Sequence, residues 1–204
     1  MSKGSYIAVA GNIGVGKSSF VDFMSGRFGV QPFFEPNDEN PFLADFYGDM
    51  GRWGFHSQIY FLASKIALHR TLANHPGHVI QDRTVWEDAE IFAENLALNG
   101  TMSVREIETY RLLFASVRED LRPPDLMVYL RCSMPTLKRR IAKRGREMET
   151  ALPTAYLKSL QARYDAWIGR YTLSPVVVLE TDKLDPVTDL LDCKQVFDAI
   201  ERYL

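Results

Sequence analysis

The 204-residue sequence predicts an α/β fold: a five-stranded parallel sheet flanked by helices. Three observations predict it. Five short apolar runs alternate with helical patterns along the chain. Most of the runs are continuously apolar, as strands covered on both faces must be, and lack the alternation of a half-exposed sheet. The first run passes through a glycine-rich turn straight into a helix, the unit from which wound sheets are built.

Taken in order, Tyr6–Ala10 (YIAVA) is the first strand, Ser18–Phe28 the first helix and Val30–Glu35 (VQPFFE) the second strand. A long helix is expected around Gly54–Leu72, then the third strand His78–Asp82 (HVIQD) and a helix around Val85–Asn99. Ser103–Arg118 reads as helix, Leu126–Arg131 (LMVYLR) as the fourth strand and Met134–Lys143 as the helix behind it. Thr154–Tyr171 is helical, Val176–Glu180 (VVVLE) is the fifth strand and Val187–Tyr203 closes the chain as a helix. No repeat, low-complexity segment or linker interrupts the pattern, so residues 1–204 are expected to form one domain.

Composition excludes several classes. A 46% hydrophobic chain can bury a core without disulfides or metal staples. The balance of 24 basic against 26 acidic residues argues against a nucleic-acid binder. No apolar run approaches the roughly 18 residues that span a bilayer, and MSKGSYIAVAGNIG reaches its glycines too early for a signal peptide. Cys132 and Cys193 lie far apart without ligand spacing, and the histidines do not cluster. The expectation is a reduced cytoplasmic enzyme with neither nucleic acid nor membrane as partner.

The run Gly11-Asn12-Ile13-Gly14-Val15-Gly16-Lys17-Ser18 is a full match to G-x-x-x-x-G-K-[ST], a P-loop, which makes the expected fold that of the P-loop NTPases. Glycines let backbone N–H groups converge on phosphate oxygens where a Cβ would clash. The helix that follows turns its positive end, with Ser18 and Ser19, toward the same anion. Lys17 reaches the outer phosphates, and the Ser18 hydroxyl can coordinate Mg²⁺. The motif predicts nucleoside triphosphate binding; whether the phosphate is transferred, hydrolysed or used as a switch is left open by it.

Three further features bear on the acceptor. Glu35–Pro36 delivers a carboxylate at the carboxyl edge of the sheet, where open α/β sheets bind ligands and where a general base for a hydroxyl would stand. Gln81-Asp82-Arg83-Thr84 ends the third strand at the same edge, with Asp82 suited to Mg²⁺ and Arg83 to an alcohol or phosphoryl oxygen. The densest charge run, Lys138–Glu149, places Arg140 and Arg144 on one helix face before Gly145 breaks the helix and Arg146 follows. Such guanidinium groups suit the spread charge of a transferring phosphoryl group, and residues about 140–150 are expected to act as an Arg-rich lid.

These motifs resemble the deoxyribonucleoside kinases of the P-loop superfamily. The resemblance rests on GNIGVGKS, Glu35–Pro36, Trp53-Gly-Phe55-His-Ser-Gln58, Asp82-Arg83-Thr84 and Arg144-Gly145-Arg146, and covers nearly the whole chain. It implies ATP and Mg²⁺, Glu35 as general base on a sugar 5′-hydroxyl, Arg83 holding that hydroxyl and Asp82 assisting the metal. Arg140, Arg144 and Arg146 would contact the phosphoryl groups, Tyr47 and Glu149 the sugar 3′-hydroxyl, and Gln58 the base edge. It also implies a homodimer through the helices around Gly54–Leu72 and Val85–Asn99.

The pocket residues fit this reading physically. Gln58 offers donor and acceptor together, Lys65 lies two turns further on the same face, and Asp88 and Phe92 are four apart on the next helix. Spacing alone reads Phe92 equally well as a core aromatic. Where relatives carry Arg, Lys65 keeps the charge without the planar fork, and with Asp88 it would crowd a 5-methyl pyrimidine. The expected substrate is a purine deoxynucleoside, deoxyadenosine or deoxyguanosine, with deoxycytidine as overlap. The ATP adenine is expected beside Glu180, Thr181 and Asp182, through backbone groups. One rival is a thymidylate kinase-like nucleoside monophosphate kinase, which needs no general base. The other is a nucleotide switch, but the fifth strand runs into ETDKLD, without the Asn/Thr-Lys-x-Asp that reads guanine.

Overall fold

The computed structural model describes residues 4–36, 39–146, 149, 152–183 and 194–204. Its strands are β1 (Tyr6–Ala10), β2 (Gln31–Phe33), β3 (Val79–Asp82), β4 (Leu126–Arg131) and β5 (Val176–Glu180). They pair in parallel in the order β2-β3-β1-β4-β5, with Val9 opposite both Asp82 and Val128. The continuous apolar runs have a direct cause. In β1, Tyr6, Ala8 and Ala10 enter one core while Ile7 and Val9 enter the other. In β4, Met127 and Tyr129 join the first core and Leu126, Val128 and Leu130 the second.

Two layers of helices complete these cores. Phe20, Val21 and Met24 of α1 (Lys17–Phe28) pack with Phe197 and Ile200 of the C-terminal helix (Lys194–Glu201) on one face. The other face carries α3 (Met50–Ala73), after the short α2 (Leu43–Gly48), and α4 (Val85–Glu87), a π-helical turn (Asp88–Ala93) and α5 (Glu94–Leu98). It also carries α6 (Val104–Arg118) and, after α7 (Met134–Arg144), α8 (Thr154–Arg170). The C-terminal helix is therefore α9. Connections after β1 and after β3 leave in opposite directions, which opens a crevice at the carboxyl ends of these neighbouring strands.

The differences from the sequence reading are local. β2 ends at Phe33, so Glu35 lies beyond the strand; this edge strand carries Pro32, which has no N–H to donate. α3 starts earlier than expected because the Asp49 side chain accepts from Arg52 N at 3.1 Å and caps it. α2 is a six-residue helix, too short for periodicity to reveal. The stretch Val85–Asn99 is not one α-helix: the π-helical turn interrupts it at Asp88–Ala93. α7 ends at Gly145, whose left-handed φ of 67° closes the helix. Cys193, the first part of the expected last helix, and Glu147, Met148 and Thr150 of the expected lid lie outside the described residues. Among the described residues no helix is long and apolar enough to cross a membrane.

Candidate active site

The loop after β1 wraps the start of α1. A Cβ on Gly11 would lie 2.6 Å from the Leu130 carbonyl oxygen, and one on Gly14 would lie 2.5 Å from Ile141 Cγ1 of α7. Asn12 shapes this loop: its Oδ1 accepts from Ile13 N at 2.8 Å and its Nδ2 donates to Leu157 O of α8 at 3.0 Å. Val15 packs into the core below, Gly16 caps α1 in a left-handed conformation, and Ser19 is exposed beside Ser18. Lys17 is buried and donates to Gly11 O at 2.9 Å and Asn12 O at 3.2 Å. Burial, with the Arg83 charge, pushes its ammonium down to about 8.

Ser18 Oγ donates to Asp82 Oδ2 at 2.5 Å, which brings together the two residues expected at the metal. Asp82 Oδ1 is buried and has no hydrogen-bond partner among the described residues. A hydroxyl beside a carboxylate with a buried spare oxygen is a hard-oxygen donor set, which suits Mg²⁺.

A second cluster surrounds Glu35. Arg83 Nη1 donates to its Oε2 at 2.8 Å and Lys65 Nζ to its Oε1 at 3.0 Å. Burial alone would raise the Glu35 pKa, but Arg83 and Lys65 together hold the carboxyl well below the usual carboxylate range. Arg83 adopts φ 59°, a left-handed conformation that a non-glycine residue keeps only when its surroundings hold it. Its backbone N donates to Val9 O at 3.0 Å, its Nη2 to Gly11 O at 3.4 Å, and its guanidinium lies 4.4 Å from the Phe92 ring centroid.

Lys65 is fully buried and also meets Asp88, with Nζ 3.2 Å from Oδ2 and 3.4 Å from Oδ1. Burial and the Glu35 charge, opposed by Lys65, push Asp88 up to about 7. Gln58 Oε1 is buried without a hydrogen-bond partner among the described residues. One cavity is lined by Ile13, Lys17, Ser18, Glu35, Tyr47 and Gln58, and by Asp82, Arg83, Asp88, Phe92, Arg144, Arg146 and Glu149. Burial and the Glu149 charge raise the Tyr47 phenol pKa, so it is a neutral hydroxyl able to donate or accept. Glu149 pairs with Arg144, and Arg146 Nη1 lies 3.5 Å from its Oε1.

Lys65, expected against the substrate, is fully buried and is not among the residues that line this cavity, and Arg140, Glu180, Thr181 and Asp182 also stand apart from it. Arg140 does not line it with Arg144 and Arg146. Its Nη1 donates to Val15 O at 2.8 Å and Thr181 Oγ1 at 2.9 Å, and its Nη2 to Thr181 O at 2.6 Å, which ties the P-loop to the segment after β5. Glu180 is exposed and pairs with Arg131. Asp182 caps α7 from a distance, accepting from Ser133 Oγ at 2.6 Å and Ser133 N at 3.0 Å. The Thr181 backbone is engaged as well, its N donating to Arg131 O at 2.7 Å and its O accepting from Arg140.

Two buried residues escaped the sequence reading. Glu87 accepts from Thr84 N at 2.7 Å, Tyr164 Oη at 2.9 Å and Gly11 N at 3.4 Å, so one carboxylate joins the P-loop, the turn after β3 and α8. Burial raises its pKa despite the opposing Arg83 charge. Thr84-x-x-Glu87 is a capping box, a signal that could have found it. Tyr156 lines the cavity from α8, and no local pattern marks it.

Comparisons with known proteins bear on the family and the fold. The deoxynucleoside kinase family profile matches residues 7–204. The deoxyadenosine/deoxycytidine kinase of Bacillus subtilis is 38% identical over 200 residues, 97% of this chain and 92% of that protein. The deoxyguanosine kinase of Lactobacillus acidophilus is 34% identical over 95% of this chain and 88% of its own. Among solved structures, deoxyadenosine kinase from M. mycoides with bound dATP aligns with a TM-score of 0.85 at 29% identity, covering 96% of this chain and 98% of that one. The same enzyme with products dCMP and a flexible dCDP aligns at 0.86 and 28% identity, over 97% of this chain and 99% of that one.

Proposed function

Because this chain belongs to the deoxynucleoside kinase family, we propose that it transfers the γ-phosphoryl group of ATP to the 5′-hydroxyl of a purine deoxynucleoside, deoxyadenosine foremost, with deoxycytidine as a second acceptor. One observation carries the reading: a buried Glu35, held by Arg83 and Lys65, lines the same cavity as Lys17 and Ser18 of the phosphate loop. A monophosphate acceptor would need cations not already neutralised by a carboxylate, and no base.

In this reading the 5′-hydroxyl lies against Glu35 and Arg83. Its oxygen bonds to the γ-phosphorus as the bond from phosphorus to the β-phosphate bridging oxygen breaks, ADP leaves, and the hydroxyl proton passes to Glu35. A loose transition state keeps that proton on the hydroxyl until late, so a weakly basic carboxylate suffices. Lys17, Arg144 and Arg146 offset charge on the phosphoryl oxygens. Ser18 and Asp82 would hold Mg²⁺, which neutralises phosphate charge when bound. Tyr47 and Glu149 orient the sugar 3′-hydroxyl, Phe92 stacks on the base and Gln58 takes its edge. Arg140 acts indirectly, by fixing the P-loop carbonyl of Val15.

Adenine and cytosine both present an amino group beside a ring nitrogen acceptor, the pair that Gln58 and an ionised Asp88 complement. The relative named a deoxyadenosine/deoxycytidine kinase and the neighbour solved with dATP support this choice. A homodimer through the helices around Gly54–Leu72 and Val85–Asn99 is also proposed; Leu98, within the second of these, is 70% exposed, as are Val104 and Leu112 of the neighbouring α6 at 70% and 71%. Light scattering after size exclusion tests it, and a monomeric mass at working concentration refutes it. The activity is tested by ADP release with the four deoxynucleosides, dAMP and dTMP as acceptors. Deoxyadenosine is expected to give the highest kcat/KM; turnover on a monophosphate alone overturns the proposal.

A further inference from the structure

Lys65 bridges two carboxylates that line the substrate cavity, Glu35 and Asp88. It is fully buried, so water does not compete for its ammonium. It donates at 3.0 Å to Glu35, at the end proposed for the sugar 5′-hydroxyl, and lies 3.2 Å from Asp88, at the end proposed for the base. The chain Asp88–Lys65–Glu35–Arg83 is a continuous series of charge contacts from the end proposed for the base to the end proposed for the reacting hydroxyl. A lysine that only read a base edge would have no reason to bond the general base.

We propose that Lys65 is a positioning residue for the general base: one ammonium shared by Glu35 and Asp88 fixes the Glu35 carboxylate and couples its hold on that carboxylate to the contact Asp88 makes with the nucleobase. This deepens the function proposed above and rests on it. The physical logic is competition for one cation. When an amino edge of the base takes up Asp88, the lysine is released toward Glu35; when Asp88 has no such donor, it draws on Lys65 instead. The charged and titratable groups around Asp88 are Lys65 from α3, Glu35 after β2, Arg83 after β3 and Tyr110 from α6. Among them Lys65 alone is within salt-bridge distance of both carboxylates.

The test separates positioning from base reading. Lys65→Met would leave Asp88 buried without its cation, so the charge-balanced double variant Lys65→Met/Asp88→Asn is measured with it, and circular dichroism and a thermal melt establish that both fold. With deoxyadenosine, kcat of the double variant is expected to fall at least tenfold. The acidic limb of its kcat profile is expected to move up toward the ordinary glutamate value of about 4.3, because Glu35 has lost the Lys65 hydrogen bond and charge. Lys65→Arg, which can serve both carboxylates, is expected to recover kcat to within about threefold of wild type. An increase in KM alone, with kcat and the acidic limb unchanged in the double variant, overturns the proposal and leaves Lys65 as a base reader. A wild-type protein without deoxynucleoside turnover would instead overturn the function on which it rests.

Discussion

Glu35→Gln is the sharpest perturbation of this site because it changes charge and almost no volume. In the native protein each carboxylate oxygen accepts from a buried cation, Lys65 Nζ at 3.0 Å and Arg83 Nη1 at 2.8 Å. Glutamine keeps one acceptor oxygen but turns an NH₂ group toward the other cation. Stripping one partner from a buried ion pair costs about 3–5 kcal/mol; with Lys65 retaining Asp88 and one acceptor remaining, about 2 kcal/mol is expected here. That corresponds to a fall in melting temperature of roughly 4–8 °C for a chain of this size. Loss of the general base removes about 10²–10⁴ in rate, or roughly 3–5 kcal/mol of transition-state stabilisation.

Folding stability has a predictable pH dependence too. The folded Glu35 carboxyl titrates below its unfolded value of about 4.3, so its stabilisation is complete above that pH and is lost as pH falls below it. The melting-temperature gap between wild type and variant should narrow as pH is lowered through about 4. The assay is steady-state ADP release at saturating ATP and deoxyadenosine, with calorimetric binding of deoxyadenosine to the variant. A folded Glu35→Gln with kcat within tenfold of wild type would refute the base assignment.

Other perturbations probe the same network from different sides. Arg83→Ala removes the guanidinium from Glu35 and Gly11 O and should lower kcat by about 10²–10³, with circular dichroism unchanged; near-wild-type turnover counts against it as the hydroxyl-holding group. Asp82→Asn should raise the Mg²⁺ concentration for half-maximal rate at least tenfold, and an unchanged Mg²⁺ titration removes it from the metal site. Glu87→Gln weakens the tie between Gly11 N, Thr84 and Tyr164 and should destabilise the fold by about 1–3 kcal/mol. Its KM for ATP should rise more than that for the nucleoside, and equal rises would refute a P-loop role. Since Asp88 titrates near about 7 and an amino edge requires its ionised form, the KM for deoxyadenosine should fall as pH rises through about 7. A KM flat across that range in wild type contradicts the assignment, and Asp88→Asn should abolish the dependence.

Much of this protein was legible along the chain because the signals are local. The five strands follow from apolar runs that must be buried on both faces, and three of them, Tyr6–Ala10, Leu126–Arg131 and Val176–Glu180, begin and end where the sequence places them. The P-loop is contiguous, so its eight residues can be read as a unit. The placement of Glu35 and Arg83 at one sheet edge also follows, because parallel strands deliver their carboxyl ends to the same side.

Other features depend on distances that no spacing records. Sequence alone pairs Lys65 with Asp88, but only the packing of α3 against the residues after β2 brings Lys65 to Glu35, 30 residues away in the chain. Arg140 and Arg144 share a helix face, yet α7 lies so close to the P-loop that Arg140 is consumed by Val15 and Thr181 backbone oxygens. Glu87 carries only a capping-box spacing along the chain, and its wider role exists because β1, β3 and α8 converge on it. The sequence by itself therefore determined the sheet and the motifs that approach its edge, since periodicity and adjacency encode them. The tertiary structure decided which cation holds which carboxylate, because in a water-excluded site a charge takes the partner that folding brings within 3 to 4 Å.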